Sequence, residues 1–138
     1  MRQGRGLTLI EVAVVLAILA ILLVLVVPRF LGSRKLAYVH EADDILNELK
    51  TMAWGYYQQH SSWEGITSAN MNSVLSFQPP DDSVACWDFD LAAPGSATEI
   101  QLRAAGDNTP LKCLLVNGAT VTLTLHGNGS STRQQVLP

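Results

Sequence analysis

Hydrophobic positions are spread unevenly along the chain. Residues 12–27 read VAVVLAILAILLVLVV, sixteen apolar residues in a row, and going back to Leu7 adds only Thr8 and Glu11 as polar interruptions. A helix over residues 7–27 would be about 31 Å long, against a hydrocarbon core of about 30 Å, so the segment can span a bilayer. Pro28 follows. It lacks a backbone N–H and disfavours helix at Val27, so the helix is expected to bend or loosen there, and Gly32 and Ser33 weaken it further.

Beyond this the period changes. Leu36, Val39, Ala42, Ile45, Leu46, Leu49, Met52, Ala53 and Tyr56 recur at steps of three and four, with charged residues between them. This predicts an amphipathic helix from Leu36 to about Gln58 with one buried face. Residues 63–83 are polar and irregular and read as a connection holding a short helix near 68–75. Four short strands are then predicted at 84–91, 98–104, 111–117 and 119–126. Asn117-Gly118 stands as the hairpin signal between the last two. Alternation in 120–125 puts Val121, Leu123 and Leu125 on the inner face. Residues 127–138 read as a Gly/Ser/Gln tail. The fold class is α+β: a long N-terminal helix, its first half membrane-spanning, laid on a four-stranded antiparallel sheet.

The 138 residues carry a formal charge of −3. Length argues for one soluble domain behind the apolar rod. From Trp54 onward Arg103, Lys112 and Arg133 face Glu64, Asp81, Asp82, Asp88, Asp90, Glu99 and Asp107. An acidic surface repels phosphate backbones, so no direct nucleic-acid binding is expected. The chain contains no G-x-S-x-G, P-loop, Rossmann glycine pattern or H-E-x-x-H, and so offers no catalytic residues and no cofactor site; it is not expected to be an enzyme.

Three readings compete for the apolar segment. A cleaved secretory signal has a shorter apolar core and a small-x-small cleavage site, whereas residues 26–29 read VVPR. A plain anchor fits the length, with Arg2 and Arg5 holding the N-terminus in the cytoplasm. Neither accounts for Glu11, because an intramembrane carboxylate is costly.

Gly6-Leu7-Thr8-Leu9-Ile10-Glu11, followed by a long apolar helix with Pro28, resembles the prepilin leader and helix of type IV pilins and pseudopilins. The match covers residues 5–30; Leu7 stands where Phe is commonest, and the rest of the chain resembles pilins in layout only. The resemblance implies cleavage between Gly6 and Leu7 by a prepilin peptidase and N-methylation of Leu7. It divides the chain into a leader (1–6), an apolar transmembrane and polymerisation helix (7–28) and a soluble head (29–138) that includes the second half of the helix. Cleavage would leave an amine four residues before Glu11. If neighbouring helices stack with an axial offset, Glu11 of one subunit meets the Leu7 amine of the next, and a buried ion pair of that kind sets register. The bland alternative is a Glu11 that snorkels to the headgroups. In assembled pilins the segment before the corresponding proline melts locally, which implies an assembly role for Pro28.

Other candidates stand beside simpler explanations. With a cytoplasmic N-terminus the head lies outside, where disulfides persist, so Cys86 and Cys113 are expected to bridge; two buried thiols are the alternative. His40, His60 and His126 lack zinc-ligand spacing, so no metal site is expected. Asp81, Asp82, Asp88 and Asp90 match no calcium loop and read as a solvated acidic edge. Asn128-Gly129-Ser130 fits the N-glycosylation pattern but also an ordinary turn. Trp54, Tyr56, Tyr57 and Trp63 are expected in core and loop packing rather than in a binding patch.

The resemblance implies a structural subunit, major or minor, of a type IV pilus or pilus-like filament. Its implied partners are itself or other pilins, the prepilin peptidase, an inner-membrane assembly platform and motor, and membrane lipid before assembly. It would pass from the inner membrane to an extracellular or periplasmic filament. The first alternative is a pseudopilin of a type II secretion or DNA-uptake machine; the second is a monomeric anchored binding protein for which Glu11 is dispensable.

Overall fold

A computed structural model describes residues 8–81, 86–107 and 111–137. The first helix, α1, runs from Leu9 to His60. It is helical through Pro28, where the missing N–H leaves the Val24 carbonyl without its usual donor. Two units divide the chain, Met1–Lys35 and Leu36–Pro138. In the first, every described side chain through Arg34 is exposed.

In the second unit the helix buries the stripe that its periodicity predicts. Val39, Ala42, Leu46, Leu49 and Ala53 are buried, while Ile45, Met52 and Tyr56 pack partly against the same cluster. Leu36 departs from the pattern: it is exposed at the beginning of the stripe. The helix stops at His60, followed by Ser61 in a left-handed conformation whose N–H donates to Tyr57 O at 2.7 Å. A one-turn helix, α2 (Met71–Val74), lies within the predicted 68–75 window.

The strands β1 (Trp87–Ala93), β2 (Glu99–Gly106), β3 (Thr120–His126) and β4 (Ser131–Val136) form one antiparallel sheet in sequence order. Its inner face carries Leu91, Ile100, Leu102, Ala104, Val121, Leu123 and Leu125. Two indoles donate to the helix backbone, one from β1 and one from the connection after α1. Trp87 Nε1 donates to Tyr38 O and Trp63 Nε1 to Ala53 O, each at 2.8 Å.

The four-stranded sheet is present, with one strand exchanged relative to the sequence expectation. Residues 111–117 are not a strand: Leu111–Val116 is a 3₁₀ helix. Cys113 and Val116 are both fully buried and Leu114 is exposed, which is the three-residue period of that helix rather than alternation. Asn117-Gly118 accordingly turns the 3₁₀ helix into β3 rather than joining two strands. The fourth strand comes from the expected tail. It pairs with β3 from Thr120↔Val136 to Leu125↔Ser131 through a turn in which Gly129 has φ +82. None of its side chains is buried, so no apolar alternation announces it. β1 begins at Trp87 and ends at Ala93; residues 84 and 85 lie outside the described residues.

Candidate assembly segment

The apolar helix begins on a cap. Thr8 immediately precedes Leu9, and its Oγ1 accepts the Glu11 N–H at 3.3 Å. Thr8-Leu9-Ile10-Glu11 thus has the S/T-x-x-E spacing of a capping box, with Glu11 in the first turn. A carboxylate there faces the positive end of the helix dipole, a favourable placement of about 0.3–1 kcal/mol that Glu11 gains within its own chain. Sequence reasoning missed Thr8, although the spacing was legible. From Leu9 to Leu31 the large apolar side chains stand between 43% and 89% exposed among the described residues. The helix is long and apolar enough to cross a membrane. Gly6 and Leu7 lie outside the described residues.

In the head, Cys86 and Cys113 form a disulfide with Cα atoms 5.2 Å apart. It joins the residue before β1 to the 3₁₀ helix. That helix presses against the end of β2: a Cβ on Gly106 would run into the Val116 carbonyl oxygen. Both cysteines are buried.

Asp90 and Asp43 of the head are engaged in ordinary pairs. Asp90 receives a bidentate contact from Arg103 opposite it on β2, with Nε donating to Oδ1 at 2.8 Å. That hydrogen bond raises the Arg103 pKa above its usual value, burial opposing it and the charge of Asp90 adding to it. Asp43 on α1 receives Arg133 of β4 through two bonds of 2.7 Å, and Lys50 donates to Ser131 Oγ at 2.8 Å. These polar contacts tie β4 to the helix. Among the described residues no group of three His, Cys, Asp or Glu side chains could hold a metal ion, and Asp82 lies outside them.

The aromatic residues are consumed by packing. Trp63 is fully buried with its ring 4.3 Å from that of Tyr57, which also stacks on Trp54, while Tyr56 stacks on His60. His40 is exposed, and His126 lies 3.6 Å from Glu99, so the three histidines do not converge. Asn128 is exposed in the β3–β4 turn, where its Oδ1 accepts from Ser130 N and Oγ.

Residues 1–27 match the prokaryotic N-terminal methylation motif. The chain carries a type IV pilin-like prepilin leader. Proteins with this leader are structural, are processed by a prepilin peptidase and assemble into filaments. The prepilin leader and the apolar helix together fit a membrane-anchored pilin, and the helix-on-sheet head is a pilin-like arrangement. No curated protein and no solved structure matches the chain.

Proposed function

We propose that the chain is a subunit of a type IV pilus or pilus-like surface filament, cleaved between Gly6 and Leu7, methylated on the Leu7 amine and polymerised through its N-terminal helix. The observation that carries this reading is the methylation motif running directly into an apolar helix whose whole surface is exposed. In lipid that surface is at ease. Transfer into a helical bundle then depends on packing and polar pairing rather than on dehydration.

Glu11 is the only acid in the helix before Glu41. In a water-poor bundle it needs a cation, and the methylated amine of Leu7 on a neighbouring subunit supplies one. Pro28, with one backbone bond fewer, is the point at which the helix yields as subunits pack. The head (29–138) then lies outside the inner membrane, its strands closed by the Cys86–Cys113 bridge.

Shearing surface filaments and measuring the intact mass of the subunit tests the proposal. The expected species begins at Leu7, carries one methyl group and is abundant in the fibre. Retention of Arg2 or Arg5 would refute the processing. Confinement to the membrane, absent from every fibre, would refute the filament. Abundance only in a short periplasmic assembly would replace the pilus with a pseudopilus.

A further inference from the structure

We propose that the outer end of the apolar helix holds a binding groove for an anionic phospholipid, with Arg29 and Arg34 taking the headgroup phosphate and Leu25, Val26 and Phe30 taking the top of an acyl chain. This rests on the membrane-resident precursor of the proposed function. Residues four apart stack on one helix face, so Leu25, Arg29 and Ser33 make one stripe and Val26, Phe30 and Arg34 the next. Each stripe begins apolar and ends polar or cationic. Between them lies a crevice of about 420 Å³ lined by Leu25, Val26, Arg29, Phe30 and Ser33. The Arg34 guanidinium stands 5.7 Å from the centre of the Phe30 ring, and Ser33 Oγ donates to Arg29 O at 3.1 Å. Arg29, Phe30, Ser33 and Arg34 are all exposed.

Depth and charge both favour a lipid. From Leu9 to Val27 the helix rises about 28 Å, which brings Arg29 to the far boundary of a hydrocarbon core of about 30 Å. Between Glu11 and Glu41 the sequence has no Asp or Glu, so the segment that carries Arg29 and Arg34 holds no acid of its own. Membrane helices tend to keep their cations on the cytoplasmic flank. With the N-terminus in the cytoplasm Arg29 and Arg34 lie on the opposite flank, and removal of residues 1–6 takes Arg2 and Arg5 from the inner one. A planar guanidinium pairs with two phosphate oxygens at once. The apolar floor beneath it suits a phosphate attached to a hydrocarbon chain, not a free ion.

The test reconstitutes the full chain in phosphatidylcholine vesicles and adds a trace of spin-labelled phosphatidylglycerol or spin-labelled phosphatidylcholine. The fraction of each probe immobilised by protein is compared. The anionic probe is expected to be preferred about fivefold for each engaged cation. The preference should fall by about fivefold for each arginine lost in Arg29→Gln/Arg34→Gln and largely return in Arg29→Lys/Arg34→Lys. Equal immobilisation of the two probes by the wild-type chain overturns the groove while leaving membrane residence intact. No immobilised lipid of either kind overturns membrane residence and the groove together. Loss of the preference in excess inorganic phosphate at constant ionic strength assigns the site to free phosphate and overturns the lipid. A preference that survives the glutamine pair while self-association is lost assigns the crevice to contact between copies, which also overturns it.

Discussion

Replacing Glu11 with glutamine separates the role this residue has in its own helix from the one proposed for it between subunits. Within its own chain, Glu11 is the third residue of a helix capped by Thr8. Glutamine also serves the capping box, so Thr8 keeps its bond and only the dipole contribution of about 0.3–1 kcal/mol goes. That is at most roughly a fivefold change in any equilibrium coupled to the helix end. In the proposed filament the loss between subunits is larger. Deleting one partner of a buried ion pair costs about 3–5 kcal/mol, because the remaining charge stays buried and uncompensated. In an association constant this is roughly two to three and a half orders of magnitude, repeated at every subunit. Membrane insertion moves in the opposite direction, since an acid has left the apolar segment. Tagged Glu11→Gln protein is therefore expected at wild-type level or above in the membrane and nearly absent from sheared filaments. The assay is the filament-to-membrane ratio of the tagged subunit, expressed beside the wild type so that fibres form. A ratio within about fivefold of wild type would show that Glu11 only terminates its own helix, and the register mechanism would be wrong.

Two further substitutions test the head. Cys113→Ser opens a bridge between residues 27 apart and places a hydroxyl where the sulfur is fully buried; the loop alone is worth about 3.5 kcal/mol, so the melting temperature should fall by at least about 10 °C. Reductant should lower the wild type in the same way and leave the variant unmoved; a variant that melts with the wild type refutes the argument. Gly106→Ala drives a Cβ against the backbone of Val116 and should destabilise by about 1–3 kcal/mol or more, whereas Gly55→Ala, with nothing within 4 Å, should stabilise the helix by about 0.5–1 kcal/mol. Chemical denaturation of both variants reads the contrast, and equal midpoints would show that the close approach at Gly106 is slack.

Where one face of an element is buried, the sequence was legible. The stripe from Val39 to Ala53 and the alternation of Val121, Leu123 and Leu125 follow from helix and strand periods, and both enter the core as expected. Residues 111–116 defeated the reading because LKCLLV is apolar enough for a strand, and only burial of both Cys113 and Val116 reveals the tighter period. β4 was invisible for the opposite reason. STRQQV buries nothing, and it is held by ladder bonds and by Asp43 and Lys50, partners 80 to 90 residues away. Its turn did carry a signal: Asn128-Gly129 is the same dipeptide as Asn117-Gly118, but only the latter was flanked by apolar runs. At the N-terminus the residues that mark the processing motif also spell the helix cap, and the stronger pattern hid the local one.

β4 gives the head a permissive margin. The strand closes one side of the sheet yet lends no side chain to the core; it is held by pairing with β3 and by the anchors at Ser131 and Arg133. Thr132, Gln134 and Val136 are exposed, and changes at such positions usually alter stability by no more than about 0.5 kcal/mol. A lineage can rewrite this edge without disturbing the interior that Leu46, Leu49 and Leu125 share. An engineer has the same freedom: a short epitope grafted on those alternate positions would, in the proposed filament, recur at every subunit.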